Sequence, residues 1–488
     1  MVMKEISLYD EQDPWVTINA MHCQRSDDLL ALTGFRDQTI KAHWLLADGR
    51  IACEQVICST DRFMTLTKIL PEVAWDEREI HDLFGYTPIA HPDLRPLLRT
   101  QRWPDDFYPL RAGMPERPLW RDGEPDQAMK VVQGEGIVIM KVGPTHAGII
   151  ESGHFVFSVM GENILYLDAH LFQKHRGMEA LLQGKSLATI QPMIARLCGS
   201  DSVSHQYNLV QSIEQVTDRH VPEVVHYRRI LVAESERILS HLNDLAQIPA
   251  GVGFAVAHQK GLALKELWQR GMAVIFGHRF LFDALYREVF TQEDKLYFLS
   301  LITSFEALWA KWIKLTEKNV AFHDRMRGVG KVTRQDAQQL GAVGVARRAT
   351  GVKIDMRKKM PLYQAVDFTV ATALGGDVEA RFQVRLLEVE SSLSILRQTL
   401  ARMGDPSKEE PFVVPSDLTG ETVTFSESSH GLNVHVIQWL DGKINRYHIR
   451  SGSYRNWPVL AKAVEGNVIA DFPLINKSFE LCYSCTDR

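Results

Sequence analysis

Two short segments, far apart in the chain, carry the side chains best suited to bind a metal. The first is Cys198-Gly199-Ser200-Asp201 and the second is Cys482-Tyr483-Ser484-Cys485. In each segment two potential ligands are three residues apart, a spacing at which one turn of chain directs both toward the same ion. Thiolates favour soft or borderline metals such as nickel, zinc and iron, whereas the carboxylate of Asp201 is a hard oxygen ligand. The sequence thus predicts a metal site split between the two segments, with one unusual ligand.

The pair formed by Cys482 and Cys485 is also compatible with other kinds of site. A Cys-x-x-Cys pair is typical of a zinc half-site or of a thiol redox pair. A redox pair normally opens a helix inside a thioredoxin-like βαβ unit, whereas here the sequence stops soon after Cys485. A self-contained zinc site needs another close Cys or His pair, and the nearest other thiol in sequence is Cys198. Spacing alone therefore leaves these alternatives open beside the split site.

The elements that precede both segments form a small N-terminal α+β unit, residues 1–111. Apolar alternation on either side of Asp48-Gly49-Arg50 predicts a β-hairpin. A short helix is predicted over residues 75–84, ended by Gly85, and its charged residues form either a solvated face or a docking surface for a subunit. Residues 112–130 are rich in Pro, Gly and charge without apolar periodicity, which predicts a linker or an extended surface strap.

The second unit, residues 131–488, is predicted to begin with strands, to continue mainly as helices and to end in a β-rich part. Apolar runs predict a strand over 136–142 and a hairpin over 154–167. Apolar residues spaced three, four and seven apart predict a long helix over 222–245. Further long helices are predicted near 178–197, 258–290, 295–319 and 376–403, a loop over 405–416, and a strand over 432–440. The predicted fold class is α+β.

The composition is typical of a soluble globular protein. Hydrophobic residues make up 45% and charged residues 24%, and the net charge of −5 gives no reason to expect nucleic-acid binding. No signal-peptide pattern opens the sequence, and the apolar stretch 296–313 is better explained as a buried amphipathic helix than as a membrane span. Six cysteines do not make a disulfide framework here, and Cys23, Cys53 and Cys58 are predicted to be small buried residues. Any connection to a membrane is expected to come through partners.

Beyond these patterns, the whole sequence resembles the large subunit of energy-converting, membrane-bound nickel–iron hydrogenases of the formate-hydrogenlyase type. In that family a domain similar to the 30-kDa subunit of respiratory complex I is fused to one similar to its 49-kDa subunit. The first domain carries the resemblance in Glu77-Arg78-Glu79-Ile80-His81-Asp82-Leu83-Phe84-Gly85, His91-Pro92-Asp93-Leu94-Arg95 and Tyr108-Pro109-Leu110-Arg111. The second carries it in Gly143-Pro144-Thr145-His146, Glu151-Ser152-Gly153-His154, His175-Arg176-Gly177, Arg196-Leu197-Cys198-Gly199, Ala349-Thr350-Gly351 and Cys482-Tyr483-Ser484-Cys485-Thr486-Asp487-Arg488.

The resemblance implies a role for each of the four ligand positions. In the family, two N-terminal and two C-terminal cysteines hold nickel and iron, the first of each pair binding nickel and the second bridging both metals. By position, Cys198 and Cys482 correspond to the terminal ligands and Cys485 to one bridge. Asp201 stands where the other bridging thiolate is expected, and a carboxylate suits low-valent iron poorly. The resemblance thus implies a nickel–iron centre with one altered bridge.

Two further residues are implied to be catalytic. Glu151 corresponds to the family's proton-relay carboxylate, which takes a proton from the thiolate at the position of Cys482; the alternative is a carboxylate that caps, or that pairs with a neighbouring His or Arg. His430 stands where the family has an arginine above the open metal position, and it carries a similar charge only when protonated. His146 and His205 are expected to be structural histidines near the interface with the small subunit.

The implied activity is heterolytic hydrogen oxidation or proton reduction coupled to ion translocation. Electrons would pass to a partner, because this chain lacks the cysteines for an iron–sulfur cluster of its own. The implied partners are a small iron–sulfur subunit similar to the 20-kDa subunit of complex I, a ferredoxin-like subunit, and antiporter-like and other membrane subunits. The implied location is the cytoplasmic face of the cell membrane. A maturation peptidase trims related precursors after the position of Arg488, and the sequence does not distinguish a processed chain from one encoded without that tail.

The substitutions at Asp201 and His430 leave a second function open. The chain would then be a hydrogenase-related coupling subunit with a metal-free site, or with a single ion such as zinc at Cys198, Cys482 and Cys485. A quinone-site subunit like that of complex I is less favoured, because Ile150 falls near the place of the quinone-binding histidine. Whether the chain is a hydrogen-converting enzyme therefore depends on the metal site.

Overall fold

The computed structural model describes residues 13–100, 102–115, 118–122, 129–146, 151–286, 290–404 and 414–488. The N-terminal elements are α1 (Pro14–Arg25), β1 (Asp28–Gly34), β2 (Thr39–Leu45), β3 (Ile51–Ile57), β4 (Arg62–Met64), α2 (Ala74–Phe84) and β5 (Thr87–Ile89). Strands β1, β2 and β3 form an antiparallel sheet in that order, and β4 pairs in parallel with β5. The pairing of β2 with β3 is the predicted hairpin, and α2 is the predicted helix, ended by Gly85 with a φ of +78°.

The second part begins with a three-stranded antiparallel sheet. Its strands are β6 (Ile137–Val142), β7 (His154–Met160) and β8 (Asn163–His170), in sequence order. The helices that follow are α3 (Met178–Leu182), α4 (Leu187–Ala195), α5 (Ser202–Val216), α6 (Glu223–Gly251), α7 (Ala255–Phe276), α8 (Gln292–Glu317), α9 (Val320–Met326), α10 (Arg334–Gln339), α11 (Gly344–Arg348) and α12 (Val378–Arg402). The chain closes with β9 (Gly420–Ser428), β10 (Gly431–Leu440), β11 (Lys443–Arg450), α13 (Gly452–Val464), α14 (Phe472–Phe479) and α15 (Tyr483–Asp487). The described residues thus confirm the α+β class.

Helix α6 is the centre of the helical part. It packs against α7, α12 and α14, and its side chains are buried on most of its circumference. Two tryptophans join neighbouring helices by hydrogen bonds as well as by apolar contact: Trp268 of α7 donates to the carbonyl of Ser235 in α6 (3.0 Å), and Trp312 of α8 donates to Ala257 in α7 (2.9 Å). Satisfying each buried indole N–H in this way removes the desolvation cost of placing it in a core.

Two predicted helices differ from the structure. The helix predicted over 178–197 is wrong, because α3 and α4 are separate and the backbone between them pairs with β11: Gly184 donates to the carbonyl of Ile444 (2.7 Å). The helix predicted over 258–290 starts earlier and ends at Phe276, because Gly277 adopts a left-handed φ of +74°. The predictions over 222–245, 295–319 and 376–403 correspond to α6, α8 and α12.

Three smaller predictions have mixed outcomes. Cys58 is buried, whereas Cys23 is half-buried and Cys53 is exposed, because Cys53 lies on the edge strand β3. Among the described residues no helix combines the length and apolarity needed to cross a bilayer, and the stretch 296–313 lies within α8. The described part of 112–130 contains no helix or strand, and the boundaries of the two domains stay a prediction.

The N-terminal part is joined to the rest through acidic residues on one face of α2 and of the turn before it. Glu72 pairs with Arg455 (2.5 Å) and Asp76 with Arg450 (2.9 Å). Glu79 receives a short hydrogen bond from Arg488, which is described below. Asp76 and Glu79 of the predicted helix are therefore occupied by contacts within the chain.

Candidate metal centre

The two cysteine segments, 284 residues apart in sequence, meet at one point of the fold. The sulfur atoms of Cys198 and Cys482 are 3.2 Å apart, and those of Cys198, Cys482 and Cys485 all lie within 4.8 Å of one another. Cys198 and Cys485 are buried, whereas Cys482 is half-buried. The predicted split site therefore exists as a cluster of three thiols.

Local hydrogen bonds explain why the sulfur atoms converge. Cys482 is the N-cap of α15, and its sulfur accepts the backbone N–H of Cys485 (3.4 Å), so both side chains of the pair face the same side. Cys198 lies in the loop between α4 and α5, where its sulfur accepts the backbone N–H of Ser200 (3.3 Å). At the start of α5 the buried carboxyl of Glu236 accepts the N–H groups of residues 203 and 204 (2.7 and 3.2 Å), which fixes the end of that loop.

The three thiols differ in the ease with which each loses its proton. Hydrogen bonds from the Cys198 and Cys485 thiols lower the pKa of Cys482 well below its usual value, against the opposing effect of burial. Burial raises the pKa of Cys198 and of Cys485. Among the three thiols, Cys482 therefore loses its proton most readily. A bound metal ion would favour deprotonation of all three thiols.

Asp201 and His430, two of the positions at which the resemblance implies a departure from the family pattern, are partners of each other. Nδ1 of His430 lies 3.0 and 3.1 Å from the two carboxylate oxygens of Asp201, and Ser429 donates to one of those oxygens (3.2 Å). Both side chains are almost completely buried. Burial opposes the charge of His430, but the carboxylate of Asp201 outweighs it and raises the pKa of His430 to about 10. Although burial opposes its charge, His430 holds the pKa of Asp201 below its usual value. The pair is an ion pair.

Glu151 is placed beside the cysteine pair by the backbone between the two cysteines. Its carboxylate accepts the backbone N–H of Ser484 (2.9 Å) and the hydroxyl of Ser484 (2.5 Å). These bonds make Glu151 a cap of α15, one of the two roles that the sequence allowed. Glu151 and Cys482 also line the same cavity, so its position is compatible with the proton-relay role as well.

The cavity next to the cysteines has a volume of about 660 Å³. Apolar side chains form much of its wall, among them Phe155, Leu239, Phe280, Phe472 and Leu481. Polar groups on the wall include His146, Glu151, Asp244, Lys265, His430 and Glu480. The described residues offer no acceptor to Nε2 of His430, so the outer nitrogen of the charged imidazole has no partner within the described chain. The cavity leads to the half-buried sulfur of Cys482.

A chain of aromatic and imidazole groups behind Cys485 is the feature that sequence reasoning missed. Nε2 of His205 lies 3.6 Å from the sulfur of Cys485, Nδ1 of His205 lies 2.9 Å from His435, and His435 lies 2.9 Å from the hydroxyl of Tyr447. His205 is completely buried, so its place is behind the site and not at an exposed interface; His146 bonds to the carbonyl of Gly153 (2.7 Å) at the cavity. The position of His205 four residues after Asp201, one turn into α5, is the signal that could have placed it.

The arrangement does not fit a centre of two metals bridged by two thiolates. The fourth position supplies a carboxylate, and both oxygens of that carboxylate already bond to His430. Oδ2 of Asp201 lies 3.9 Å from the sulfur of Cys485. The three sulfur atoms instead match the number and softness of donors that a single zinc or other soft ion accepts, with a further position open to the cavity.

Comparisons with known proteins agree with this architecture. Residues 21–118 match the family of the respiratory-chain NADH dehydrogenase 30 Kd subunit, and residues 293–417 and 408–488 match that of its 49 Kd subunit. Hydrogenase-4 component G of Escherichia coli (strain K12) is 29% identical, over 99% of this chain and 85% of that protein. The carbon monoxide-induced hydrogenase of Rhodospirillum rubrum is 30% identical, over 71% of this chain and 98% of that protein.

A solved structure shares the fold. The archaeal membrane-bound sulfane sulfur reductase contains a chain that matches 72% of this one and 99% of its own length, with a TM-score of 0.67 and 24% identity. A part similar to the 30 Kd subunit followed by a part similar to the 49 Kd subunit defines the class of complex I-like subunits. Within that class, this chain belongs to the family of large subunits of membrane-bound hydrogenases and their relatives.

Proposed function

We propose that this chain is the large subunit of a membrane-bound, hydrogenase-related redox complex, in which the three cysteines bind one soft metal ion and hydrogen is not converted. The observation that carries the proposal is the buried ion pair of Asp201 and His430. It occupies the two positions that the resemblance assigns to a bridging thiolate and to the arginine above the metals. Two residues that differ from the family pattern thus form an internal contact with each other, while the other three ligand positions keep their cysteines.

In this proposal the residues around the site have defined tasks. Cys198, Cys482 and Cys485 hold the ion, which when bound contributes a positive charge and an open coordination position at the cavity. Glu151 holds the turn that carries Cys482 and Cys485 through its bonds to Ser484. The buried pair of Asp201 with His430 lies beside Cys485, with Oδ2 of Asp201 3.9 Å from its sulfur. Such outer contacts set the orientation of metal ligands.

The place of the chain in its complex is carried over from its relatives. We propose that it transfers electrons to or from an iron–sulfur partner similar to the 20-kDa subunit of complex I, at the cytoplasmic face of the cell membrane. Ferredoxin-like and antiporter-like subunits complete the proposed complex and couple the redox reaction to ion movement. The relatives named for membrane-bound hydrogenases and for NADH-quinone oxidoreductases support this assembly.

Nickel–iron hydrogenase is the second candidate function, and one observation favours it. Glu151 bonds to the residue between Cys482 and Cys485 and lines the same cavity as Cys482, where a proton-relay carboxylate would be needed. This candidate requires Asp201 to leave the His430 pair or to serve both as a metal ligand and as an ion-pair partner. The single-ion site requires no such rearrangement.

Metal analysis of the purified complex distinguishes the two candidates. The complex is isolated with its partner subunits, its metals are quantified by mass spectrometry, and infrared spectra are recorded for iron-bound cyanide and carbonyl. We expect one zinc or similar ion at the cysteines, no nickel and no such bands. Exchange of Cys485 for Ser should remove that ion, and exchange of Cys58, buried outside the site, should not. Nickel together with the infrared bands would overturn the proposal in favour of a hydrogenase.

A further inference from the structure

A second buried cluster lies close to the cysteine pair and includes a residue from the N-terminal part. The guanidinium of Arg488 donates to the carboxylates of Glu79 and Glu179, with 2.9 Å between Nη1 and the Glu179 oxygen, and also to the carbonyl of Ile449. It lies over the ring of Tyr454, 4.9 Å from the ring centre. Arg488 is 2% exposed and Glu79 is 4% exposed, so this contact is completely internal.

We propose that Glu79 is a positioning residue for the three-cysteine site and acts through Arg488. This inference rests on the proposed metal binding by the cysteines. The N–H of Arg488 closes α15 by donating to the carbonyl of Ser484 (3.1 Å), and Arg488 is three residues from Cys485. The other end of the segment is held where Cys482 donates its N–H to Ser453 (3.0 Å). A guanidinium that shifts would therefore turn α15 and move the sulfur of Cys485 relative to that of Cys198.

Other contacts also hold the backbone around α15. The carboxylate of Asp487 accepts the N–H groups of Phe172 (2.8 Å) and Lys174 (2.9 Å), and the N–H of Arg176 donates to the carbonyl of Arg488 (2.8 Å). These contacts belong to the second part of the chain. Glu79 is different because it reaches Arg488 from α2, across the boundary between the N-terminal part and the metal-binding part.

Substitution of Glu79 is also a more specific test than substitution of Glu179. Glu179 accepts from Arg446 (2.7 Å), from His448 (3.1 Å) and from the backbone of Ile449 (3.0 Å) in addition to Arg488, so its exchange would disturb β11 as well. Exchange of Glu79 for Gln keeps the size of the side chain and removes the charge that Arg488 faces. Arg488 retains Glu179, so the variant should still fold.

The test compares two carboxylates of α2 in the full chain. Glu79→Gln removes the contact to Arg488, and Asp76→Asn removes a similarly buried ion pair to Arg450 of β11 on the same helix. Cobalt(II) is titrated into the metal-free protein and followed by its thiolate charge-transfer absorption. We expect Glu79→Gln to weaken binding about tenfold and Asp76→Asn to change it less than about twofold. Equal effects of the two exchanges, or no effect of Glu79→Gln, would overturn the proposal.

A second readout does not depend on any metal. The rate of alkylation of the buried thiol of Cys485 by iodoacetamide is measured by mass spectrometry in the metal-free proteins. We expect the alkylation rate to increase clearly in Glu79→Gln and not to increase in Asp76→Asn. Arg488→Lys keeps the charge, so its alkylation rate should lie closer to that of the wild type than the rate of Arg488→Gln does. If the wild-type chain bound no cobalt but the variants differed in alkylation as expected, the proposed metal function would fail. The positioning role of Glu79 would stand. An unchanged alkylation rate in Glu79→Gln would refute the positioning role.

Discussion

In the described part of the chain, two clusters each bring three potential metal-ligand atoms within 4.8 Å of one another. The two clusters differ in how the charge of these side chains is compensated. One is Cys198, Cys482 and Cys485; the other is Glu79, Glu179 and His448. In the second cluster two guanidiniums fill the space that an ion would need: Arg446 and Arg488 both bond to Glu179. Burial alone would raise the pKa of Glu179, but these cations, Arg446 foremost, hold it well below its usual value.

The comparison shows why proximity of ligand atoms does not by itself define a metal site. A carboxylate that stays charged when buried needs a counter-charge, and in the second cluster the chain supplies it through Arg446 and Arg488. Burial raises the pKa of Cys198 and of Cys485, so these two thiols keep their protons more readily, and the first cluster can fold without a cation and accept one later. We infer that the carboxylate cluster stabilises the fold, whereas the thiol cluster binds a metal ion. The predictions below test that division, beginning with the largest expected effect.

Exchange of Glu179 for Gln should destabilise the fold strongly. The variant leaves Arg446 and Arg488 facing each other with one carboxylate removed, and breaking such a buried network costs about 4 kcal/mol. The free energy of unfolding is measured by chemical denaturation. As a control, Glu306→Gln breaks an exposed pair with Arg397 and should cost less than about 1 kcal/mol. Similar losses in both variants would contradict a structural role for the buried cluster.

Exchange of Cys485 for Ser should affect metal binding much more than the stability of the fold. It removes one of three soft ligands and should weaken cobalt or zinc binding at least about a hundredfold, which corresponds to about 3 kcal/mol of binding free energy. The stability of the metal-free protein should change little by comparison. Metal affinity is measured by competition with a chelator, with Cys58→Ser as the control. A variant that bound metal as tightly as the wild type would exclude Cys485 as a ligand.

Glu77 on α2 is a third buried carboxylate, and among the described residues no guanidinium forms an ion pair with it. Thr65, Thr67 and the N–H of Leu66 donate to it, and Nε2 of His91 is 3.8 Å away. Burial raises the pKa of Glu77 to about 7, with a smaller contribution from Asp76 and in spite of these hydrogen bonds. Burial also lowers the pKa of His91, so the imidazole supplies no compensating charge at neutral pH.

The raised pKa predicts a pH dependence of stability. An acid that binds its proton more tightly when folded stabilises the protein fully below its unfolded value, near 4.5, and this contribution is lost as the pH rises toward 7. The loss should be about 3 kcal/mol and level off above the folded pKa. Glu77→Gln should remove it, so the variant should gain stability relative to the wild type between about pH 5 and about pH 8. Unfolding measured at both pH values checks this, and a constant difference would contradict it.

Much of the fold could be predicted from patterns that depend on neighbouring residues. The hairpin of β2 and β3, the stop of α2 at Gly85 and the length of α6 follow from alternation, from a left-handed glycine and from helical spacing. The break between α3 and α4 could not be predicted in this way, because it depends on pairing between Gly184 and Ile444, which are distant in sequence.

The site shows the same limit. The spacing of Cys198 and of Cys482 with Cys485 predicted a shared site, and the cluster of three thiols confirms that they meet. The sequence also identified Asp201 and His430 as two separate departures. Three contacts join distant segments through buried polar groups: the ion pair of Asp201 with His430, the bond between His205 and His435, and the contact of Glu79 with Arg488. No local period encodes such contacts, so only the fold could supply them.

The smallest expected effect separates the two candidate functions of Glu151. As a cap of α15, Glu151 contributes two hydrogen bonds to Ser484, and its exchange for Gln, which keeps one acceptor, should cost about 1 kcal/mol of stability and weaken metal binding less than about tenfold. Ser484→Ala removes the hydroxyl partner and serves as the matched control, because it should reproduce much of that loss. A proton relay would behave differently: Glu151→Gln would abolish hydrogen–deuterium exchange activity of the purified complex while Ser484→Ala preserved it. Because the ion pair of Asp201 and His430 argues against hydrogen conversion, we expect neither the wild-type complex nor the variants to catalyse that exchange.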